Sequence, residues 1–305
     1  MNRFLLLLSV LGCLPLFLSA QQLPQNRVYL FDLQQPADSL FRLANPQYLT
    51  DFNPSGYNNQ PHFIADEVLL LTVQYPEDTT QTDIYALDLA KQTKTRMTAT
   101  YESEYSPTLI PLYNVEDTPQ FSTIRVELDP NNTQRLWSFP IDRSNNGRPL
   151  MPNVKGVGYH CWMNPREVAL FIVGENEAPH RLAMANVRNE NLTNITSNIG
   201  RCLQKMPRNE LAFLHKLSDR TWLIKKIGQN NYRPQLITAS LQGSEDFVVL
   251  PDGTLLAGKG SKLYKFNKSL DVRWVEIADL SFYEINDITR LAINLSGNRL
   301  AIVSK

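Results

Sequence analysis

Short apolar runs preceded by turn-like residues recur along the chain: Val68–Val73, Thr123–Glu127, Val168–Val173, Leu211–Leu214, Thr254–Ala257 and Leu300–Val303. Successive starts lie 55, 45, 43, 43 and 46 residues apart. Short continuous apolar runs predict buried strands, and a repeat of this length is the spacing of propeller blades. A second kind of segment follows each of the first five, with aromatic or β-branched residues in loose alternation: Ile84–Leu89, Leu136–Phe139, Leu182–Ala185, Trp222–Ile224 and Leu263–Phe266. Polar turns then lead to third pieces such as Thr95–Thr98, Leu192–Thr196, Gln235–Ile237 and Arg273–Glu276. With the strand ahead of the first kind, each period holds four strands, and no long amphipathic helix is predicted.

The two ends are incomplete in complementary ways. Leu300–Val303 reaches the C-terminus with nothing after it, whereas Val28–Leu33 and Leu40–Leu43 match second-kind and outer strands with no first-kind strand before them. The expected fold is therefore all-β, a six-bladed β-propeller closed by N-terminal strands that complete the last blade. Closure hides the sheet edges that an open array would expose. An open β-sandwich, or two smaller β-domains, would also give many short strands but has no reason for such ends.

Ahead of these strands, Asn2 and Arg3 precede an apolar run from Phe4 to Leu18 and the small residues Ser19 and Ala20. This reads as a signal peptide over residues 1–20, leaving 21–305 as one propeller domain, secreted or periplasmic. Val10-Leu11-Gly12-Cys13 is an alternative lipid-attachment box. No later stretch is long and apolar enough to span a bilayer. Lys plus Arg and Asp plus Glu each number 30, with no basic run, which argues against nucleic acid as a partner. The domain is expected to be monomeric.

The blades resemble those of the TolB-like bacterial propellers, with their degenerate WD-repeat-like pattern. The residues that carry this are Gln60-Pro61-His62-Phe63, Ser106-Pro107-Thr108-Leu109, Leu250-Pro251-Asp252-Gly253, Asp83–Leu89 and Arg96-Met97-Thr98. The motifs are structural, so the resemblance implies fold and an exported location, not chemistry. TolB also carries an N-terminal domain for which the residues between Ala20 and Val28 leave no room, so its role in an envelope complex is not carried over.

Candidate functional residues are sought in the loops entering each innermost strand, where propeller sites usually lie. The entries are Tyr57–Gln60, Tyr101–Tyr105, Gly158–His160, Gly200-Arg201, Ser244–Asp246 and Glu284–Asp287. From them come Asn59, Glu104, Tyr159, His160, Arg201, Asp246, Asn286 and Asp287 as ligand-binding candidates. Glu104, Asp246 and Asp287 could supply oxygen ligands to a calcium-like ion, by analogy with six-bladed lactonases; otherwise no cofactor is indicated. The plainer alternative is a wet, polar channel entrance. Neither Gly-x-Ser-x-Gly nor His-Glu-x-x-His occurs, and His62, His160, His180 and His215 are not spaced as a local zinc pair. The Asn-x-Ser/Thr sites read as Asn-rich turns, and Tyr75–Gln81 as a polar loop for contact or solvation.

Cys161 and Cys202 occupy nearly equivalent places in successive inner strands, so a disulfide and two buried free thiols are both open. The functional expectation is a non-catalytic secreted propeller binding a protein or polar ligand at its channel face. A metal-dependent hydrolase or lactonase using the same mouth, and a structural subunit of an envelope assembly, are the alternatives.

Overall fold

The computed structural model describes residues 23–229 and 231–305, so the expected signal peptide and the alternative lipid-attachment box lie outside the described residues. Six antiparallel four-stranded sheets are arranged as blades around an axis. The innermost strands are Tyr57–Ala65 in blade two, Ser103–Leu109 in three, Val157–Asn164 in four, Ile199–Met206 in five, Phe247–Val249 in six and Ile288–Ile293 in one. The repeated apolar runs are the second strand of every blade. Val68–Gln74 shows why they read as continuous. Leu69 and Leu71 face the seam with blade one while Leu70 faces the seam with blade three, and all three are fully buried.

Closure is as the chain ends predict. Arg27–Ala37 and Leu40–Tyr48 are the third and outer strands of blade one, whose inner pair is Ile288–Ile293 and Arg299–Ser304. The antiparallel junction pairs Val28 with Val303, Leu30 with Ala301 and Phe31 with Leu300. Six apolar clusters fill the six seams between neighbouring blades. The apolar packing therefore sits between blades, and stability depends on every seam being closed.

Cys161 and Cys202 are both free and buried, the second of the two expected arrangements. Cys161 packs in the seam of blades four and five, Cys202 in that of five and six, where its sulfur accepts from Phe247 N at 3.4 Å. Near-equivalent positions in a rotational repeat face successive seams, which points the two thiols apart. Among the described residues, no helix is long and apolar enough to cross a membrane.

Candidate functional site

A local irregularity common to the inner strands builds the site. Pairing with the second strand slips between Asn59 and His62, Tyr105 and Thr108, Val157 and Tyr159, Ile199 and Leu203, and Ile288 and Arg290. Such bulges re-aim a side chain out of the pleat. Gln60, Ser106, Tyr159, Arg201 and Arg290 emerge at or beside the slips, and Asp246 immediately precedes the short inner strand of blade six. All six line one central cavity, one residue per blade. Gln60 and Ser106 both have φ of 54° and both precede proline, which disfavours helical backbone at the preceding residue. The Gln60 side-chain oxygen accepts from Ser106 N and Thr72 Oγ1, each at 2.8 Å, tying the bulges of blades two and three together.

This ring crosses the axis. Arg290 Nη2 donates to the Tyr159 hydroxyl at 3.1 Å, joining blade one to blade four on the opposite side. Arg201 reaches past blade six, its Nη2 donating to Thr289 O at 3.1 Å, so its guanidinium lies beside the strand that carries Arg290. Asp246 lies between them, with Oδ2 3.7 Å from Arg290 Nη1 and Oδ1 accepting from Leu291 N at 3.2 Å. Burial pushes the Asp246 carboxyl upward against the pull of Arg290 and Arg201. Burial also raises the Tyr57 phenol, on which both arginines act in the opposite sense.

The cavity has a volume of about 590 Å³. From the ring its lining runs to Leu109, Pro111, Lys205, Pro207, Pro251 and Leu295. Lys205, Pro207 and Leu295 are exposed, so the cavity is a funnel toward the face where first and second strands are joined. The sequence-based expectation put the mouth at the opposite, entry-loop face. There the Arg290–Tyr159 bridge and the buried Tyr57 lie across the axis instead.

His62 and His160 line the funnel wall. Ser122 Oγ donates to Thr108 O and accepts from Trp162 Nε1 at 2.8 Å. The 2.7 Å contact between Ser122 Oγ and His160 Nε2 therefore puts the imidazole proton on Nε2 and leaves Nδ1, which is buried without a protein partner, as an acceptor. Burial lowers the pKa of His62 to about 4; burial and then His62 lower that of His160 to about 3, so both are neutral at pH 7.

Of the sequence candidates, Tyr159, His160, Arg201 and Asp246 are brought together here. The others serve elsewhere. Asn59 is buried, donating to Asn26 Oδ1 at 3.2 Å and accepting from Gln60 N at 2.8 Å. Glu104 is fully buried against Arg125, whose Nε lies at 2.9 Å and whose guanidinium stacks 3.8 Å over Trp137. Burial lifts the Glu104 carboxyl to about 7, opposed by the Thr100 hydroxyl and Arg125. Asn286 and Asp287 are exposed; Asp287 faces Lys305 at 3.8 Å, and Asn286 edges a separate hollow of about 460 Å³ beside Arg27 and Glu284. Among the described residues, no three His, Cys, Asp or Glu side chains are grouped to hold a metal ion, so Glu104, Asp246 and Asp287 do not form a common centre.

Arg290, Gln60 and Ser106 escaped the sequence search. The signal was present in their spacing. Positions 60, 106, 159, 201, 246 and 290 are separated by 46, 53, 42, 45 and 44 residues, the blade period itself.

The strand order and this axial cavity define a six-bladed β-propeller. Its shape is similar to that of a TolB from Agrobacterium tumefaciens, with a TM-score of 0.66 and 10% identity over 92% of this chain and 98% of the other. TolB from Acinetobacter baumannii superposes with a TM-score of 0.55 at 11% identity, over 92% of this chain but 64% of that longer one. A gluconolactonase from Xanthomonas campestris also matches, with a TM-score of 0.55 and 8% identity over 82% and 86% of the two chains. Identities this low speak for shared architecture alone. No family model and no curated protein matches the sequence.

Proposed function

We propose that the protein is a non-catalytic binding propeller of the bacterial envelope or exterior, exported by its N-terminal leader. It takes a protein segment or polar ligand into the axial funnel. The observation that carries this reading is the convergence of one side chain from each blade, five of them at or beside bulges, with Arg201, Asp246 and Arg290 as the charged members, at the floor of a cavity of about 590 Å³. A cavity of that size with apolar walls and a few convergent polar groups has the form of a ligand site. The TolB neighbours, one of them matched over nearly its whole length, fit a binding role.

The Ser122–His160 pair does not amount to a hydrolytic centre. Ser122 is fully buried, its hydroxyl is committed to Thr108 O, and His160 Nδ1 has no carboxylate to orient the ring. A second reading, a hydrolase or lactonase using the same funnel, draws on the gluconolactonase and a manganese-bound oligogalacturonate lyase, the latter matched with a TM-score of 0.52 at 14% identity. The two are separated by melting the purified protein with a panel of lactones, sugars, organic acids and peptides, then assaying every stabilising compound for turnover with and without chelator. Binding raises the melting temperature with concentration. Saturable stabilisation with the compound recovered unchanged supports the binding module; consumption abolished by chelator supports the enzyme.

A further inference from the structure

The charges in the funnel are unbalanced. Its lining contains Arg201, Lys205 and Arg290 against Asp246 alone, while His62 and His160 are neutral. At the floor, the two guanidiniums are not exhausted by their neighbours. Each has five N–H donors in a fixed fork. Arg201 spends Nη2 on Thr289 O, yet its Nε is buried without a partner. Arg290 gives one bond to Tyr159, and its approach to Asp246, at 3.7 Å, is too long for a hydrogen bond. Leaving a buried donor without a partner is unfavourable, so the floor is arranged to receive an acceptor. Above it the chemistry changes. Phe63, Leu109, Trp162, Leu203, Leu291 and Ile293 line the wall.

We infer that the funnel recognises a carboxylate carried on an apolar body, the carboxylate set against Arg201 and Arg290 at the floor and the apolar part against the wall. This rests on the binding reading above and names the chemistry of its ligand. A planar anion with two acceptor oxygens matches the guanidinium fork, whereas a neutral polar group would leave the surplus positive charge uncompensated. The Tyr159 hydroxyl and Asp246 hold Arg290 across the axis, and Thr289 O holds Arg201, so both donors are positioned before the ligand arrives. The acid could be a free small molecule or the terminal carboxylate of an apolar peptide, since the recognised chemistry is the same.

The test is calorimetric titration of the intact protein with 3-phenylpropionate, octanoate and a short leucine-ended peptide, each beside its uncharged amide, and with inorganic phosphate. Loss of a charge-assisted hydrogen bond corresponds to about a tenfold to hundredfold weakening. The acid is expected to bind at least about tenfold more tightly than its amide, and Arg201→Gln and Arg290→Gln to remove that preference. Tightest binding by the free acids identifies a small molecule; tightest binding by the peptide identifies a chain terminus. Equal affinity for acid and amide, or phosphate bound as tightly as the acids with the same arginine dependence, overturns the inference. If neutral compounds bind in the funnel while the acids do not, the carboxylate assignment fails and the binding reading stands; if nothing binds there, both fail. The acid–amide comparison is made in the unaltered protein, so it remains decisive should an arginine variant not fold.

Discussion

Phe31 is fully buried in the seam between blades six and one, edge-on to Tyr283 with ring centroids 5.3 Å apart, and is paired in register with Leu300. Phe31→Ala removes a complete aromatic side chain from the junction that closes the ring, at a cost of about 3–5 kcal/mol. With a urea m-value of about 3 kcal/mol/M, the unfolding midpoint falls by about 1 M or more. The four tryptophans make the assay informative. Trp137, Trp162, Trp222 and Trp274 belong to blades three, four, five and six, and blade one has none. If closure couples all blades, the tryptophan transition of the variant shifts as far as the circular-dichroism transition and stays coincident with it. A tryptophan midpoint equal to that of the parent, with only a minor early loss of strand signal, would refute the closure argument by showing that blade one frays alone.

Other perturbations test the buried polar groups. Burial depresses the pKa values of His62 and His160 below the ordinary 6.5, so below that pH the unfolded chain binds more protons than the folded one. Stability present at pH 7 is therefore lost as pH falls from 6.5 toward 3, by about 2 kcal/mol per histidine at pH 5. His160→Gln should reduce the difference between urea unfolding free energies at pH 7.5 and pH 5 by about that amount; an unchanged difference contradicts a buried neutral imidazole. Glu104→Ala leaves the buried Arg125 with only the more distant Glu102 carboxylate, 3.9 Å away, and should cost about 3 kcal/mol, whereas replacing both Glu104 and Arg125 by Met should cost less than the single change, measured by thermal melting. Alkylation of unreduced, unfolded protein should label both Cys161 and Cys202 in the mass spectrum, because both thiols are free. A pair of unlabelled cysteines would mean a bridge.

The blade repeat was legible because each second strand is apolar on both faces, as at Leu69, Leu70 and Leu71, and because the closing strands had to sit at the N-terminus. The site was only partly legible. Bulges break the two-residue alternation of a strand, so the pattern around Gln60, Ser106 and Arg290 does not announce which side chain turns inward. Glu104 looked like an entry-loop carboxylate, yet its side chain is committed to Arg125 inside blade three. Asn286 and Asp287 were chosen from the entry loop of blade one, whereas the residue that reaches the axis is Arg290, a few positions further along. The funnel's direction depends on which turns rise above the axis, and that is set by packing rather than by any local motif. Pro251-Asp252-Gly253 illustrates the exception. Its glycine takes φ of 88° and the Asp252 carboxylate accepts from Thr254 N, so the turn at the funnel rim could be read directly.

Binding in the funnel is tested most directly by a block placed in its wall. Thr108 is partly exposed and lines the cavity. Thr108→Trp should fill part of the funnel while leaving the outer surfaces of the six blades untouched. Equilibrium binding is measured on parent and variant with each compound that stabilises the parent, after circular dichroism and melting show the variant folded. Loss of binding in the folded variant is the predicted result; undiminished binding would place the functional surface outside the funnel and contradict the account.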